Sequence, residues 1–98
     1  MNIKTKSIEW KNAYKSAKEI KKNLKKFSKK SYIIINDKYV NIIPQTFEDR
    51  MLYETIRNLY REDGIIKLDV DSALNNIGLK FFNLPKEPYD KHISFMVA

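Results

Sequence analysis

The chain has no cysteine, and its 98 residues include one histidine, two glycines and three prolines. Without cysteine it forms no disulfide and offers no thiolate as a nucleophile or a metal ligand. So few glycines and prolines leave little room for linkers, low-complexity segments or a glycine-rich phosphate loop. These absences predict one ordered domain over residues 1–98 and permit a reducing compartment, with the cytoplasm as the default.

Long apolar runs are also missing. The longest are Tyr32–Ile35 and Phe95–Ala98, whereas a helix that crosses a bilayer needs about 20 apolar residues. No apolar stretch follows the N-terminal lysines, as it would in a secretory signal peptide. We therefore expect a cytoplasmic protein without a membrane span.

Acidic residues are scarce at the start of the chain. Residues 1–30 contain eleven lysines against Glu9 and Glu19, a formal charge of +9, and residues 31–98 sum to −2. A general bias toward lysine would spread the excess along the whole chain. The asymmetry instead predicts a cationic element attached to a nearly neutral body, and therefore a polyanionic partner.

Residues 7–30 have the spacing of an amphipathic helix. Apolar residues recur every three or four positions and form one seam: Trp10, Ala13, Ala17, Ile20, Leu24 and Phe27. Lysines recur in the same way on the opposite face: Lys11, Lys15, Lys18, Lys22, Lys25 and Lys29. We expect a helix about 36 Å long, with Ser7 as its N-cap, that docks by its seam and leaves the lysines open to a partner.

The body of the protein, residues 31–98, begins with a predicted β-hairpin. Over residues 31–44, β-branched and aromatic residues flank a turn at residues 36–38. Thr46, followed three residues later by Asp49, then predicts the start of a second helix that ends at Asp63 and Gly64. The buried stripe of this helix is expected to consist of Phe47, Met51, Ile56, Leu59 and Tyr60.

The last third of the chain predicts shorter elements. Alternation over residues 65–70 favours a short strand, Asp71 or Ser72 then caps a brief helix that ends at Gly78, and residues 93–97 indicate a terminal strand. The fold class is therefore α+β, with a small antiparallel sheet of the hairpin and C-terminal strands, packed by the long basic helix and the second amphipathic helix. Apolar residues occupy both alternation classes of the hairpin, so we expect both sheet faces to be covered, one by helices and the other by a further layer or a second subunit. The two-faced hairpin and the long apolar seam of residues 7–30 together predict a homodimer.

Catalytic constellations are scarce. His92 has no second histidine and no cysteine to work with, so a structural or surface role is favoured. The acidic residues that could gather a cation do not have the spacing of a calcium-binding loop, and capping and turn formation explain them. They are Glu62, Asp63, Asp69 and Asp71. We predict a protein that is not an enzyme and holds no metal or cofactor.

Competing hypotheses explain the lysines. The leading one is a nucleic-acid-binding protein that contacts DNA or RNA phosphates through Lys11, Lys15, Lys18, Lys22, Lys25 and Lys29. The alternative is a small inhibitor or adaptor, of the kind that mobile genetic elements encode, which binds an acidic surface of a protein partner such as a nucleic-acid-processing complex. An anionic membrane surface is disfavoured because the seam buries little apolar area, and a solvated face is disfavoured because it would mix both signs.

Overall fold

The pattern of apolar residues organises the described part of the chain into one helix, two strands, two helices and two strands, in that order. The computed structural model describes residues 8–34, 38–61, 67–85 and 92–97. The elements of this part are α1 (Ile8–Leu24), β1 (Tyr32–Ile34), β2 (Tyr39–Ile42), α2 (Phe47–Tyr60), α3 (Lys67–Asn76), β3 (Leu79–Asn83) and β4 (Ile93–Val97). The predicted α+β class, with a small antiparallel sheet, is confirmed.

The sheet has the strand order β1-β2-β4-β3, and every neighbouring pair is antiparallel. The predicted hairpin is confirmed, because β1 and β2 pair with Tyr32 opposite Ile42. Residues 36 and 37 of its predicted turn lie outside the described residues. The terminal strand is also confirmed as β4, and it lies between β2 and β3 rather than at an edge.

One face of the sheet, here called the inner face, packs against the helices. Val40, Ile42, Ile93 and Phe95 point to this side and are buried. The apolar seam of α1 is buried as predicted at Ala13, Ala17, Ile20 and Leu24, and Phe27 joins the same core beyond the end of the helix. Ala13 and Ala17 are fully buried, and such small side chains let α1 lie close to its neighbours. Its most extensive contact is with α3.

No helix in the described part combines the length and the apolarity that crossing a membrane requires.

The start of α2 follows the prediction, but its buried stripe does so only at Ile56 and Tyr60. Thr46 is the N-cap, and its Oγ1 accepts a hydrogen bond of 3.1 Å from the backbone N–H of Asp49. The prediction that Phe47 and Met51 are buried is wrong, because they are 67% and 54% exposed. The buried positions are Asp49, Tyr53, Ile56 and Tyr60. The Asp49 carboxylate faces the interior, where it accepts hydrogen bonds. This orientation of the helix about its axis places Phe47 and Met51 on the outside.

The segment before Gly78 is helical where a strand was predicted. The strand over residues 65–70 and the helix start at Asp71 or Ser72 are both wrong, since α3 already includes Lys67–Val70; residues 65 and 66 lie outside the described residues. Val70, Ala73 and Leu74 are buried at the spacing of one helical face, and this packing overrides the local alternation. Gly78 follows the helix with a φ of +88°, as predicted for a helix end.

Candidate nucleic-acid interface

The lysine stripe of α1 comprises Lys11, Lys15, Lys18 and Lys22. At 100° per residue these four positions fall within an arc of about 60°, opposite the buried seam, and they span roughly 17 Å along the axis. All four side chains are exposed. The stripe therefore presents about one ammonium group per helical turn on the side of α1 that faces away from the core.

The predicted helix over residues 7–30 is too long, because α1 ends at Leu24; Ser7, its predicted N-cap, lies outside the described residues. The buried side chain of Asn23 donates from Nδ2 to the Glu19 carbonyl at 2.8 Å, and the N–H of Lys26 donates to the Asn23 carbonyl at 3.0 Å, which closes a tight turn. Lys25 and Lys29 consequently do not continue the stripe. They lie in residues 25–30, here called the basic turn.

The basic turn adds cations that the helical spacing did not select. Lys25, Lys26, Lys29 and Lys30 are all exposed. Lys26 and Lys30 fall outside the row that helical intervals of three and four residues select. In a turn helical spacing does not apply, and the whole segment presents its lysines to solvent.

Asp49 fixes the basic turn to the start of α2. Its carboxylate is 2% exposed. It accepts hydrogen bonds from the N–H of Ser28, at 3.2 Å from each oxygen, and from the hydroxyls of Ser28 and Ser31. The Ser31 hydroxyl in turn accepts the N–H of Gln45 at 2.9 Å. A single buried carboxylate thereby ties together the basic turn, the entry to the hairpin and the N-terminus of α2.

The protonation state of Asp49 follows from these contacts. Burial disfavours the charged form and raises the pKa, but the side-chain and backbone hydrogen bonds from Ser28, together with those from Ser31 and Thr46, lower it more. The net result is a pKa below the ordinary value of 3.8. Asp49 is therefore ionised at neutral pH. The sequence showed it only as the partner of Thr46, because Ser28 and Ser31 lie 21 and 18 residues away along the chain.

Few contacts within the protein compete for the lysines. None of the six predicted site lysines forms an ion pair with another described residue. Lys18 Nζ lies 4.8 Å from the centroid of the Tyr14 ring, and the Trp10 ring stacks on Tyr14 at 6.5 Å. By contrast, Lys21, outside the stripe, donates from Nζ to the Ile77 carbonyl at 3.1 Å and helps to hold α1 against the end of α3.

Tyr14 and Tyr32 lie near the lysines in the sequence and are candidate contacts for bases or sugars, but the fold gives them different settings. Tyr14 is half-buried beside the stripe, under Lys18. Tyr32 is half-buried and its strand partner is Ile42, so its ring belongs to the inner face. Burial also raises the pKa of its hydroxyl. The geometry therefore brings Tyr14 together with the lysines and separates Tyr32 from them.

The residues considered for catalysis do not converge in the described part of the chain. No group of three or more histidine, aspartate or glutamate side chains there could hold a metal ion. His92 is exposed just before β4. The Tyr60 hydroxyl donates to Asp71 at 3.2 Å, and burial together with the nearby Asp71 charge raises the pKa of Tyr60 to about 12. Asp71 thus has a structural partner on α2. Glu62 and Asp63 lie outside the described residues.

The chemistry of this surface is that of a row of point charges. Ammonium groups attract phosphates without the bidentate geometry of arginine, and no arginine precedes position 50. No protein-family model, curated protein or solved structure matches the chain. Function is therefore inferred from the geometry of the chain itself.

Proposed function

We propose that this protein binds nucleic acid through the phosphate backbone, using the lysine stripe of α1 and the basic turn, with little sequence specificity. The observation that carries the proposal is the alignment of four exposed lysines opposite a buried seam, followed directly by four more exposed lysines in a turn anchored by Asp49. The proposal places the protein in the cytoplasm, assigns it no catalytic step, and needs no cofactor.

Electrostatics support this proposal. Like charges three or four positions apart on a helix destabilise it by about 0.2–0.5 kcal/mol per pair. The chain tolerates several such pairs on α1. Over residues 10–24 of that helix, Glu19 is the only acidic residue. A face that served only solubility would gain stability from interleaved glutamates. Phosphates relieve the repulsion because their negative charge neutralises the lysines, and each contact also releases counterions condensed on the nucleic acid.

The proposal is tested by fluorescence anisotropy of a labelled duplex DNA titrated with the protein at several salt concentrations. If six lysines each meet one phosphate, log K falls with log salt at a slope of about −5. The double variants Lys15→Gln/Lys22→Gln in the stripe and Lys25→Gln/Lys29→Gln in the basic turn each remove two charges. Each is expected to make the slope shallower by about 2 and to weaken binding without unfolding the protein.

A double variant elsewhere controls for net charge. Lys38→Gln/Arg61→Gln removes the same two charges from exposed positions at the hairpin and at the end of α2. This control is expected to bind as the parent does. An equal loss in all three variants would reduce the proposal to a general charge effect, and absence of binding at low salt would refute it.

The acidic protein partner remains the second candidate, and one observation favours it. Phe47 and Met51 are exposed large side chains, 67% and 54%, on adjacent turns of α2. Neither side chain carries a charge that could pair with a phosphate, whereas aromatic and methionine side chains are enriched in protein interfaces. If duplex DNA, single-stranded DNA and RNA all fail to bind at low salt, an inhibitor or adaptor that docks on an acidic protein surface becomes the leading function.

A further inference from the structure

The face of the sheet opposite the helices, here called the outer face, has no cover among the described residues. Strand pairing places on it the side chains of Ile33, Tyr39, Asn41, Lys80, Phe82 and Met96. Ile33 and Phe82 are 44% and 48% exposed. The lysine stripe faces away from the core on the other side of the molecule, so the outer face is a separate surface.

An aromatic pair dominates the outer face. The rings of Tyr39 on β2 and Phe82 on β3 stack with centroids 5.1 Å apart and an angle of 26°, and thus bridge the intervening strand β4. Ser94 of β4 is 5% exposed. Lys80 Nζ lies 5.8 Å from the centroid of the Phe82 ring, near the outer limit of a cation–π contact and therefore easily displaced.

The centre of the outer face is polar. Asn41 lies between Ile33 and Ser94 across the strands, and its Oδ1 is shielded from water without a hydrogen-bond partner in the described part of the chain. None of the described outer-face side chains is acidic, and Lys80 supplies a positive charge beside the aromatic pair.

We propose that the outer face binds the bases of a single-stranded nucleic acid, which stack on Phe82 and Tyr39 while Lys80 leaves the ring to meet a phosphate. This inference rests on the proposed function and extends it by naming unpaired bases as ligands. Aromatic side chains on a basic surface are the recurrent platform for single strands, because every base has a π-face to stack. A duplex keeps its bases stacked on one another and is bound by the lysines alone.

A second copy of the chain fits the outer face less well. Stable interfaces bury about 800 Å² per partner, and the buried centre of a homodimer interface is more apolar than the surrounding surface. Here two well-exposed apolar side chains, Ile33 and Phe82, flank an asparagine that has an unsatisfied oxygen. The seam of α1, the other support for the predicted dimer, is already buried in the protein's own core. The homodimer therefore becomes an outcome of the test.

The experiment compares three labelled probes of equal length, about 12 nucleotides, which is within the range that one small domain covers. They are single-stranded oligothymidylate, the same strand with abasic sites in place of the bases, and a duplex. We expect the parent protein to bind oligothymidylate more tightly than the abasic strand. Phe82→Ala should weaken oligothymidylate binding roughly 5- to 100-fold, as loss of one stacked base does, and leave the abasic strand and the duplex unaffected.

Matched variants separate stacking from folding. Phe47→Ala removes a phenylalanine of α2 that is more exposed than Phe82, 67% against 48%, and should change none of the three affinities. Phe82→Tyr keeps a ring and should retain oligothymidylate binding, whereas Phe82→Leu keeps apolar bulk without a ring and should lose it. Circular dichroism of each variant verifies that the fold is intact.

The outcomes are distinguishable. If oligothymidylate and the abasic strand bind equally and Phe82→Ala changes neither, the base-binding face is refuted while phosphate binding by the lysines stands. If no probe binds at low salt, the proposed function fails and this inference fails with it. If light scattering gives the mass of two chains for the parent and of one chain for Phe82→Ala, the outer face belongs to a second copy and the inference is overturned.

Discussion

Asp49 shows how one residue can serve two parts of the protein. It lies in the first turn of α2, where a negative charge is favoured by the helix dipole, and its carboxylate also accepts donors from residues 28 and 31. A buried charge without such donors would be strongly destabilising. With them, it sets the position of a segment that carries four of the exposed lysines.

Replacement of Asp49 is expected to weaken the fold in a pH-dependent way. Asp49→Asn should lower the free energy of unfolding by about 1–3 kcal/mol near pH 7, because an amide cannot accept all the donors that the carboxylate does. The pKa of Asp49 is lower in the folded protein than its ordinary value, so its stabilisation is present above the unfolded pKa of about 4 and is lost as the pH falls through the folded pKa. The gap between parent and variant should therefore narrow in strongly acidic solution.

Urea unfolding followed by circular dichroism at several pH values measures this gap. Glu48→Gln is the matched control, since Glu48 is an exposed acid in the same helical turn. It removes the same charge and should cost about 0.3–1 kcal/mol at most. A gap between Asp49→Asn and the parent that stays constant from neutral to strongly acidic pH would contradict the role of the ionised carboxylate.

At the scale of the elements, α2 shows what determines which face of a helix is buried. Its start follows from Thr46 and Asp49, but its rotation is set by Asp49 pointing inward together with Tyr53, Ile56 and Tyr60. Phe47 and Met51 then lie on the outside. A rule that places apolar residues inside and charged ones outside misorients the first turns of this helix.

Substitutions on the two sides of α2 should therefore differ sharply. Ile56 is fully buried, and Ile56→Ala should lower the free energy of unfolding by about 2–5 kcal/mol through lost burial and a cavity. Phe47→Ser removes a larger apolar group from solvent and should change it by no more than about 0.5 kcal/mol. Denaturant titration of both variants measures the difference. A large loss for Phe47→Ser would contradict the rotation of α2 described above.

Local patterns predicted the elements whose causes are local. The hairpin, the Thr46 cap, the α1 seam and strand β4 follow from propensity and spacing. The shape of the basic turn depends on Asp49 and Ser28, which are 21 residues apart, so helical spacing alone extends the predicted helix too far, to Lys29. Residues 67–70 alternate as a strand does, but Val70, Ala73 and Leu74 are spaced to form one face of a helix. Packing of that face in the core favours the helix over the strand. Of the predicted lysines, Lys11, Lys15, Lys18 and Lys22 lie on one exposed face of α1 as expected, whereas Lys25 and Lys29 lie in the basic turn, beyond the end of the helix.

At the scale of the whole molecule, the charge distribution sets the response to salt. The formal charge is +7, and repulsion among like charges opposes the compact state. In the free protein the exposed lysines of the stripe lie about 5–6 Å apart at Cβ, closer than the Debye length of about 10 Å at 0.1 M salt. Screening is therefore partial at moderate salt and increases with its concentration.

The thermal unfolding midpoint of the free protein is consequently expected to rise with added sodium chloride, by an amount that corresponds to about 1 kcal/mol. Lys15→Gln/Lys22→Gln removes part of the repulsion and should show a higher midpoint at low salt with a smaller rise. Differential scanning calorimetry with and without salt provides the measurement, and the Lys38→Gln/Arg61→Gln variant is its charge-matched control. A midpoint that does not depend on salt would show that repulsion among the stripe lysines does not lower the stability of the protein.

The position of β4 in the sheet has a consequence for synthesis on the ribosome. β4 is translated after every other described element, yet it is the strand that joins β2 to β3. Until residues 93–97 have emerged, β3 lacks its described strand partner, and the sheet side of the core lacks Ile93 and Phe95. The helices can form earlier, but the sheet closes only afterwards, and in the meantime the nascent chain exposes Phe81, whose ring contacts Phe95 of β4 in the finished sheet. Such an intermediate is a natural substrate for chaperones.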